Sequence, residues 1–160
     1  AAAITVTDGT LIGNTMSIPT RVTVGPGQLL VFDQATNATY NQRISGSGGN
    51  FEKRGKGTLT FSLNQTYAGL TTISAGQINI NGNTTLGTTA GTLHLSGGIL
   101  NTTATRTAST DPVGNPIDLT ADSSITTSSA AATVDLNLTN NAVGGSAGDA
   151  ERRSVERSSR

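Results

Sequence analysis

Cysteine and tryptophan are both absent from the 160-residue chain, and aromatic residues make up only 3% of it. Without cysteine there can be no disulfides, which often reinforce secreted domains that have a small core. At 34% hydrophobic residues, the chain has less Leu, Ile, Phe and Trp than a globular core of this length normally needs. Its stability must therefore come from repeated backbone hydrogen bonding rather than from a thick core or covalent cross-links.

Charge is also scarce, at 12% of residues with a net charge of zero. The chain therefore lacks the high charge and low hydrophobicity that are typical of disordered proteins, and we expect no nucleic-acid partner. No run approaches the roughly 18–20 apolar residues of a membrane helix, so we expect no membrane insertion by this segment. The chain begins with three alanines and shows no signal peptide; we interpret it as a mature or excised segment.

The abundant residues are Thr, Ser, Asn and Gly, which suit a thin, elongated β structure with polar strand faces and Gly or Asn at turns. Short alternating segments recur, separated by turn signals such as Asp8-Gly9 and Gly25-Pro26-Gly27. Each segment is too short to bury its apolar side alone and needs stacked neighbours, which predicts a β-solenoid. The predicted segments are residues 4–6, 10–12, 21–24, 28–32, 58–63, 71–75, 77–80, 93–95, 117–120, 124–127 and 133–138.

The domain organisation follows from where this pattern holds. We predict a solenoid over residues 1–148, with a flexible polar connection at 33–50 and a longer polar loop at 101–116. Residues 91–98 repeat the form of residues 57–62, Gly-Thr-Leu-x-Leu/Phe-Ser, which indicates self-similarity. In strand alternation Leu93 and Leu95 point inward and His94 outward. Residues 149–160 are highly charged, and we predict a tail outside the solenoid that is either disordered or a short helix.

The longest ordered pattern occupies residues 51–80. It consists of Phe51, Lys53, Gly55 and Gly57, then Thr-Leu-Thr-Phe at 58–61, Asn-Gln-Thr-Tyr-Ala-Gly at 64–69, Thr-Thr-Ile-Ser-Ala-Gly at 71–76 and Gln-Ile-Asn-Ile at 77–80. This pattern resembles the passenger-associated β-strand repeat of bacterial autotransporters. It departs from that pattern without disturbing the alternation, at Arg54, Lys56, Phe61 and Leu70.

The resemblance implies an all-β fold, a right-handed parallel β-helix, within a secreted or surface-exposed passenger of a bacterium. Passengers of that family serve as stalks or adhesive surfaces, so the implied partners are host or matrix surfaces or glycans. The repeat carries no catalytic residue, and we predict no catalytic, cofactor-binding or metal site and no enzyme. The alternatives are a β-helix enzyme acting on polysaccharide and a glycan-binding module. Exposed solenoid edges would also permit end-to-end self-association.

Few side chains are candidates for chemistry. His94 is the only histidine; we interpret it as a solvent-facing strand residue, and one His without Cys gives no normal zinc site. A polysaccharide-active enzyme would need Asp118, Asp122 and Arg106 to converge as carboxylates and base. Solvated turn residues are the preferred interpretation of the acidic side chains, namely Asp8, Asp33, Asp111, Asp118, Asp122 and Asp135.

Three further patterns have a structural and a functional interpretation. The charged residues at 52–56 could attract anionic glycans or lipopolysaccharide, but we expect a charged turn that keeps the lateral surface soluble. Outward Thr rows could bind ice or sugars, although they follow no strict register. The Asn-x-Thr triplets match N-glycosylation acceptors, and we prefer turns and stacked ladders for them. They begin at Asn37, Asn64, Asn83, Asn101 and Asn137.

Overall fold

A computed structural model describes residues 2–81, 86–104 and 113–128 of the chain. These residues form fifteen strands of two to five residues and no helix. The strands are β1 (Ile4–Val6), β2 (Thr10–Gly13), β3 (Val22–Val24), β4 (Leu29–Asp33), β5 (Ala38–Tyr40), β6 (Ile44–Gly46), β7 (Asn50–Arg54), β8 (Thr58–Phe61), β9 (Thr66–Tyr67), β10 (Thr71–Ile73), β11 (Gln77–Ile80), β12 (Leu93–Leu95), β13 (Ile99–Thr102), β14 (Ile117–Leu119) and β15 (Ser124–Thr127).

The strands stack into three parallel sheets. Sheet A has the order β1-β3-β6-β9, sheet B the order β2-β4-β7-β10-β12-β14, and sheet C the order β5-β8-β11-β13-β15. Strands that are consecutive in sequence lie in different sheets, so the chain winds around a common axis. We number its turns coil 1 (β1, β2), coil 2 (β3–β5), coil 3 (β6–β8), coil 4 (β9–β11), coil 5 (β12, β13) and coil 6 (β14, β15). The predicted parallel β-solenoid is confirmed; because coils 1, 5 and 6 contribute two strands each, the fifteen strands amount to about five full turns.

Pairing registers give the length of each turn. In sheet B the inward residues Leu30, Phe51, Thr71, Leu93 and Ile117 follow one another, 20 to 24 positions apart. Because each strand alternates, a second inward column runs beside the first through Phe32, Lys53, Ile73 and Leu95. The prediction that Leu93 and Leu95 point inward and His94 outward is confirmed, since both leucines are fully buried.

All five aromatic residues of the chain lie together inside coils 2 to 4. Their ring centroids are 4.9 to 6.3 Å apart, mostly in edge-to-face arrangements, and the set is Phe32, Tyr40, Phe51, Phe61 and Tyr67. Such pairs stabilise a core by about 0.5–1.5 kcal/mol each beyond the area that they bury. The few aromatic residues are therefore concentrated in one buried cluster.

One sequence prediction is wrong. Residues 33–50 are not a flexible connection, since they contain β5 and β6 and bury Tyr40 and Ile44. Three-residue strands with polar outward positions leave too little alternation to be distinguished from a loop. Residues 91–98 and 57–62, which share one sequence form, lie in different sheets: Leu93 pairs with Thr71 in sheet B, whereas β8 belongs to sheet C.

Other predictions lie partly or wholly outside the described residues. The predicted strand at 133–138 and the charged tail at 149–160 belong to this group, so the domain limits remain a prediction. The polar loop predicted at 101–116 is described only at its ends, where Asn101 and Thr102 complete β13 and Ile117 follows at the start of β14. Within the part of the chain that the structure covers, no helix is long and apolar enough to cross a membrane.

Candidate functional site

Lys53 lies inside the solenoid. On β7 the side chains alternate, so Phe51 and Lys53 point inward and Glu52 points outward. The Lys53 side chain is fully buried between Phe32 and Ile73 of the neighbouring coils. Its Nζ donates hydrogen bonds to the carbonyl oxygens of Arg54 at 2.6 Å, Gly55 at 2.7 Å and Ala75 at 3.3 Å. We call these three oxygens the carbonyl cage.

Glycines shape the corner that holds the cage. Gly55 and Gly76 have φ of 73° and 66°, in the left-handed region that disfavours residues with a Cβ. A Cβ on Gly76 would lie 2.4 Å from the Gly55 oxygen, 2.6 Å from the Gly57 oxygen and 2.9 Å from the Lys53 Nζ. Only glycine therefore allows the corners of coils 3 and 4 to approach closely enough to surround the ammonium group. Gly55 and Gly57 pack in the same way on coil 2, where their Cβ atoms would lie 2.7 Å from the Gln34 oxygen and 2.4 Å from the Thr36 oxygen.

The location of Lys53 corrects the interpretation of residues 52–56 as a charged surface turn. Glu52 is half-buried and Arg54 and Lys56 are exposed, but Lys53 is not available to an anionic glycan or to water. Burial lowers the pKa of Lys53 to about 8, while the nearby Asp33 carboxylate opposes that shift. The sequence signal that could have revealed the buried lysine was the strict alternation Phe51, Lys53 against Glu52, Arg54.

The outer surface of sheet B carries a different set of groups. Glu52 accepts hydrogen bonds from Arg54 Nε and Nη2, each at 2.8 Å, and from Ser74 Oγ at 2.6 Å. The hydrogen bond from Arg54 is the main reason that the pKa of Glu52 is lowered. Glu52, Thr72, His94 and Asp118 form one outward column across coils 3 to 6.

His94 has two partners on coil 6 that the sequence did not reveal. Its Nε2 is 2.7 Å from Thr120 Oγ1, and its Nδ1 is 3.7 Å from Asp118 Oδ2. The register that joins residues 94 and 118 crosses a long polar stretch, so spacing alone could not predict it. His94 is an outward strand residue, as expected, and its side chain is 29% exposed.

Of the three groups that a polysaccharide-active enzyme would need, the described residues include two. Asp118 is on β14 and Asp122 lies in the turn before β15, both exposed, and Arg106 lies outside the described residues. Asp8 and Asp33 are exposed, whereas Asp111 and Asp135 are also outside. In the described part of the chain no cluster of three or more His, Cys, Asp or Glu could hold a metal ion.

Sheet C carries a ladder of polar side chains on its outward column. Asn101 Nδ2 donates to Asn79 Oδ1 at 2.9 Å, and Thr126 Oγ1 donates to Asn101 Oδ1 at 2.9 Å. The amide of Asn79 in turn reaches Thr60 Oγ1 at 3.4 Å. Asn101 is only 3% exposed, so the ladder interpretation of its triplet is confirmed.

Two other Asn-x-Thr triplets begin in a turn or a connection rather than in a ladder. Asn37 lies in a turn, where its Oδ1 accepts a hydrogen bond from the backbone N–H of Thr58 at 2.9 Å. Asn64 lies in the connection before β9, and its carbonyl oxygen accepts from Arg43 Nε at 3.2 Å. Asn83 and Asn137 lie outside the described residues.

Comparison with known protein families identifies one repeat in the chain. Residues 51–80 match the family described as Passenger-associated-transport-repeat, and these residues are the segment from β7 to β11 that contains the carbonyl cage. The matched segment folds as part of the parallel β-solenoid, which is consistent with an autotransporter passenger repeat. Neither a search of curated proteins nor a search of solved structures gave a significant match.

Proposed function

We propose that this chain is a structural segment of a bacterial autotransporter passenger and works as a stiff stalk. The observation that carries this proposal is the continuous stacking of three parallel sheets, six strands deep in sheet B. Each coil is joined to the next by strand pairing in at least two of the three sheets, and bending would require these hydrogen-bond ladders to break. A passenger stalk has no need of a reaction, and the repeat family is a structural one.

An adhesive role rests on the outer surfaces. Sheet B presents the carboxylates of Glu52 and Asp118, the imidazole of His94 and the hydroxyl of Thr72 in one column. Adjacent strands are about 4.8 Å apart, so the column offers a glycan a regularly spaced row of hydrogen-bonding groups. We propose host or matrix glycans as the partner of this column.

Binding measurements on a glycan array and on matrix proteins test the adhesive role. The variant Glu52→Ser/His94→Ser/Asp118→Ser removes the charged groups of sheet B, and Thr39→Ser/Thr60→Ser is the matched change on the outer column of sheet C. We expect binding to be lost in the first variant and kept in the second. If the unchanged protein binds no array member, the adhesive role is wrong and the stalk role stands alone.

The proposed location is the outer surface of the bacterium or the medium. The test is to express the whole parent protein with an epitope inserted at Gly9, whose surroundings are open, and to add protease to intact cells. We expect the epitope to be cleaved from intact cells or found in the medium. An epitope that becomes accessible only after lysis would contradict this location.

End-to-end association of copies is a further part of the proposal. Among the described residues, β2 and β14 are the terminal strands of sheet B, and their outer edges can accept another parallel strand. Sedimentation velocity across micromolar concentrations should then show species larger than the monomer. A single monomeric species over that range would contradict stacking.

A further inference from the structure

The apolar pattern alone does not determine how the coils align. A strand that slides by two residues keeps every apolar side chain on the inner face, because the side-chain period is two. The strands here are short, and β10 has only three residues. Residues 91–98 have the form of 57–62 in sheet C yet pair in sheet B, so similar strand sequences occupy different places in this fold. Something other than alternation must set the register.

Lys53 places a charged side chain on the inner surface of the solenoid. Among the described residues, it is the only buried Lys, Arg, Asp or Glu. Its ammonium contacts two carbonyls of its own corner, those of Arg54 and Gly55, and one from the next coil, that of Ala75. The Arg54 oxygen also accepts the backbone N–H of Gln34 at 3.0 Å. The carbonyl cage therefore connects coils 2, 3 and 4 at one corner.

A register slip would dismantle the cage. Moving coil 4 by two residues shifts the Ala75 carbonyl by about 6.6 Å, which is far beyond hydrogen-bonding distance from the Lys53 Nζ. It also moves Gly76 away from the Gly55 and Gly57 oxygens and brings a residue with a Cβ into that space, where a Cβ would be as close as 2.4 Å. In a slipped arrangement the buried ammonium group of Lys53 thus loses a hydrogen-bond partner, and a side chain clashes with the backbone at the same corner.

We propose that Lys53, together with Gly76, determines the register of coil 4 on coil 3. Lys53 acts as a positioning residue through the Ala75 carbonyl, and a buried charge that fixes alignment is a known use of such groups. An apolar side chain of similar length would fill the same space without preferring one alignment. The inference goes beyond the proposed stalk role, because it concerns how the coils of the stalk select their pairing.

The absence of cysteine from the chain allows a direct test by cross-linking. Thr60 pairs with Asn79 on the outer surface of sheet C, across the interface between coils 3 and 4. The pair Thr60→Cys/Asn79→Cys reports the native register, and Thr60→Cys/Gln77→Cys reports an offset of two residues. Cα atoms two residues off register in adjacent strands are roughly 8 Å apart, beyond the roughly 7 Å limit for a disulfide.

Each reporter pair is combined with Lys53 or with Lys53→Met and is oxidised under the same mild conditions. With Lys53 we expect only the native pair to cross-link. With Lys53→Met we expect the offset pair to cross-link as well, at a yield raised at least tenfold. Ile73→Met, in the same inward column, is the matched control, because it alters packing without touching the carbonyl cage, and it should behave like the unchanged protein.

The proposal is overturned if Lys53→Met folds and still cross-links only in the native register. If Lys53→Met does not fold, which circular dichroism reveals, Lys53→Gln replaces it, because an amide keeps two N–H donors for the cage. That variant should give an intermediate yield of the offset cross-link. No offset cross-link in Lys53→Gln would equally overturn the proposal, as would an offset cross-link of the same yield in Ile73→Met.

Discussion

The two surfaces of sheet B treat neighbouring charged residues in opposite ways. Glu52 and Lys53 are consecutive on β7, but Glu52 faces outward and shares its carboxylate with Arg54 and Ser74, whereas Lys53 faces inward and is fully buried. On the outer surface, the hydrogen-bond partners of Glu52 are side chains that water can replace. Inside, the partners are three backbone carbonyls, and one of them, that of Ala75, belongs to the next coil.

The two surfaces differ in how much stability is lost when one of their contacts is removed. An interaction on the outer surface can be lost with little change in stability, because water solvates the released groups. On the inner surface the loss of a contact leaves a cavity or an unpaired group that the narrow core cannot absorb. The following predictions therefore pair a change on the inner surface or at a tight corner with a matched change outside.

The largest effect is expected for Phe51→Ala. Phe51 is buried and contacts the rings of Phe32, Phe61 and Tyr67 at centroid distances of 5.6 to 5.8 Å. Its truncation should lower the free energy of unfolding by about 3–5 kcal/mol. Thr72→Ala, one position beyond the Phe51 partner Thr71 and on the outer surface, should change it by less than about 0.5 kcal/mol. Urea denaturation measures both, and equal losses would contradict the distinction between the surfaces.

A smaller effect is expected at the corner, where Gly76→Ala is compared with Gly9→Ala. Both glycines have positive φ, 66° and 77°, but no atom lies within 4 Å of a Cβ at Gly9. Gly9→Ala should destabilise by about 1–2 kcal/mol from backbone strain alone. Gly76→Ala should add the clash with the Gly55 and Gly57 oxygens, for about 2–4 kcal/mol in total. Thermal unfolding with equal losses for the two variants would show that the corners need not approach closely.

The same contrast shows what the sequence could predict and why. Strand alternation identified the solenoid, the inward leucines of β12 and the outward His94, because these depend only on local period. It did not predict that Lys53 is buried, since a charged residue beside Arg54 and Lys56 has the composition of a surface turn. The partnership of His94 with Asp118 was missed for another reason: it depends on the number of residues per coil, which varies from 20 to 24 between β4 and β14 of sheet B alone.

The pH dependence of stability distinguishes the buried lysine from the outer charges. The pKa of Lys53 is lowered to about 8, and that of an unfolded lysine is about 10.4. Between these values the unfolded chain binds more protons, so this group makes the free energy of unfolding rise with pH from about 8 to 10. Tyr40 and Tyr67 act in the opposite direction above about pH 10, because burial raises their pKa values and the unfolded tyrosines ionise first.

The measurement is urea denaturation of the unchanged protein and of Lys53→Met at pH 7.5 and pH 9.5. The free energy of unfolding should increase from pH 7.5 to pH 9.5 in the unchanged protein and should show no such increase in Lys53→Met. A Lys53→Met variant with the same pH dependence would assign the increase to other groups. A decrease with pH in the unchanged protein alone would mean that the three carbonyls hold the ammonium more favourably than water does.

The smallest effect is expected for the pair of His94 and Asp118 on the outer surface. The Nδ1 and Oδ2 atoms are 3.7 Å apart, and the Asp118 side chain is 54% exposed, so water and salt screen their attraction. A double-mutant cycle with His94→Ala and Asp118→Asn should give a coupling free energy below about 0.5 kcal/mol at pH 6, and less still in 1 M salt. A coupling above about 1.5 kcal/mol that persists in salt would mean that the outer surface of sheet B is shielded from water. In that case removing a charged contact on the outer surface would cost as much stability as removing one from Lys53. The two surfaces would then differ in the partners of their charged groups but not in the stability that those partners provide.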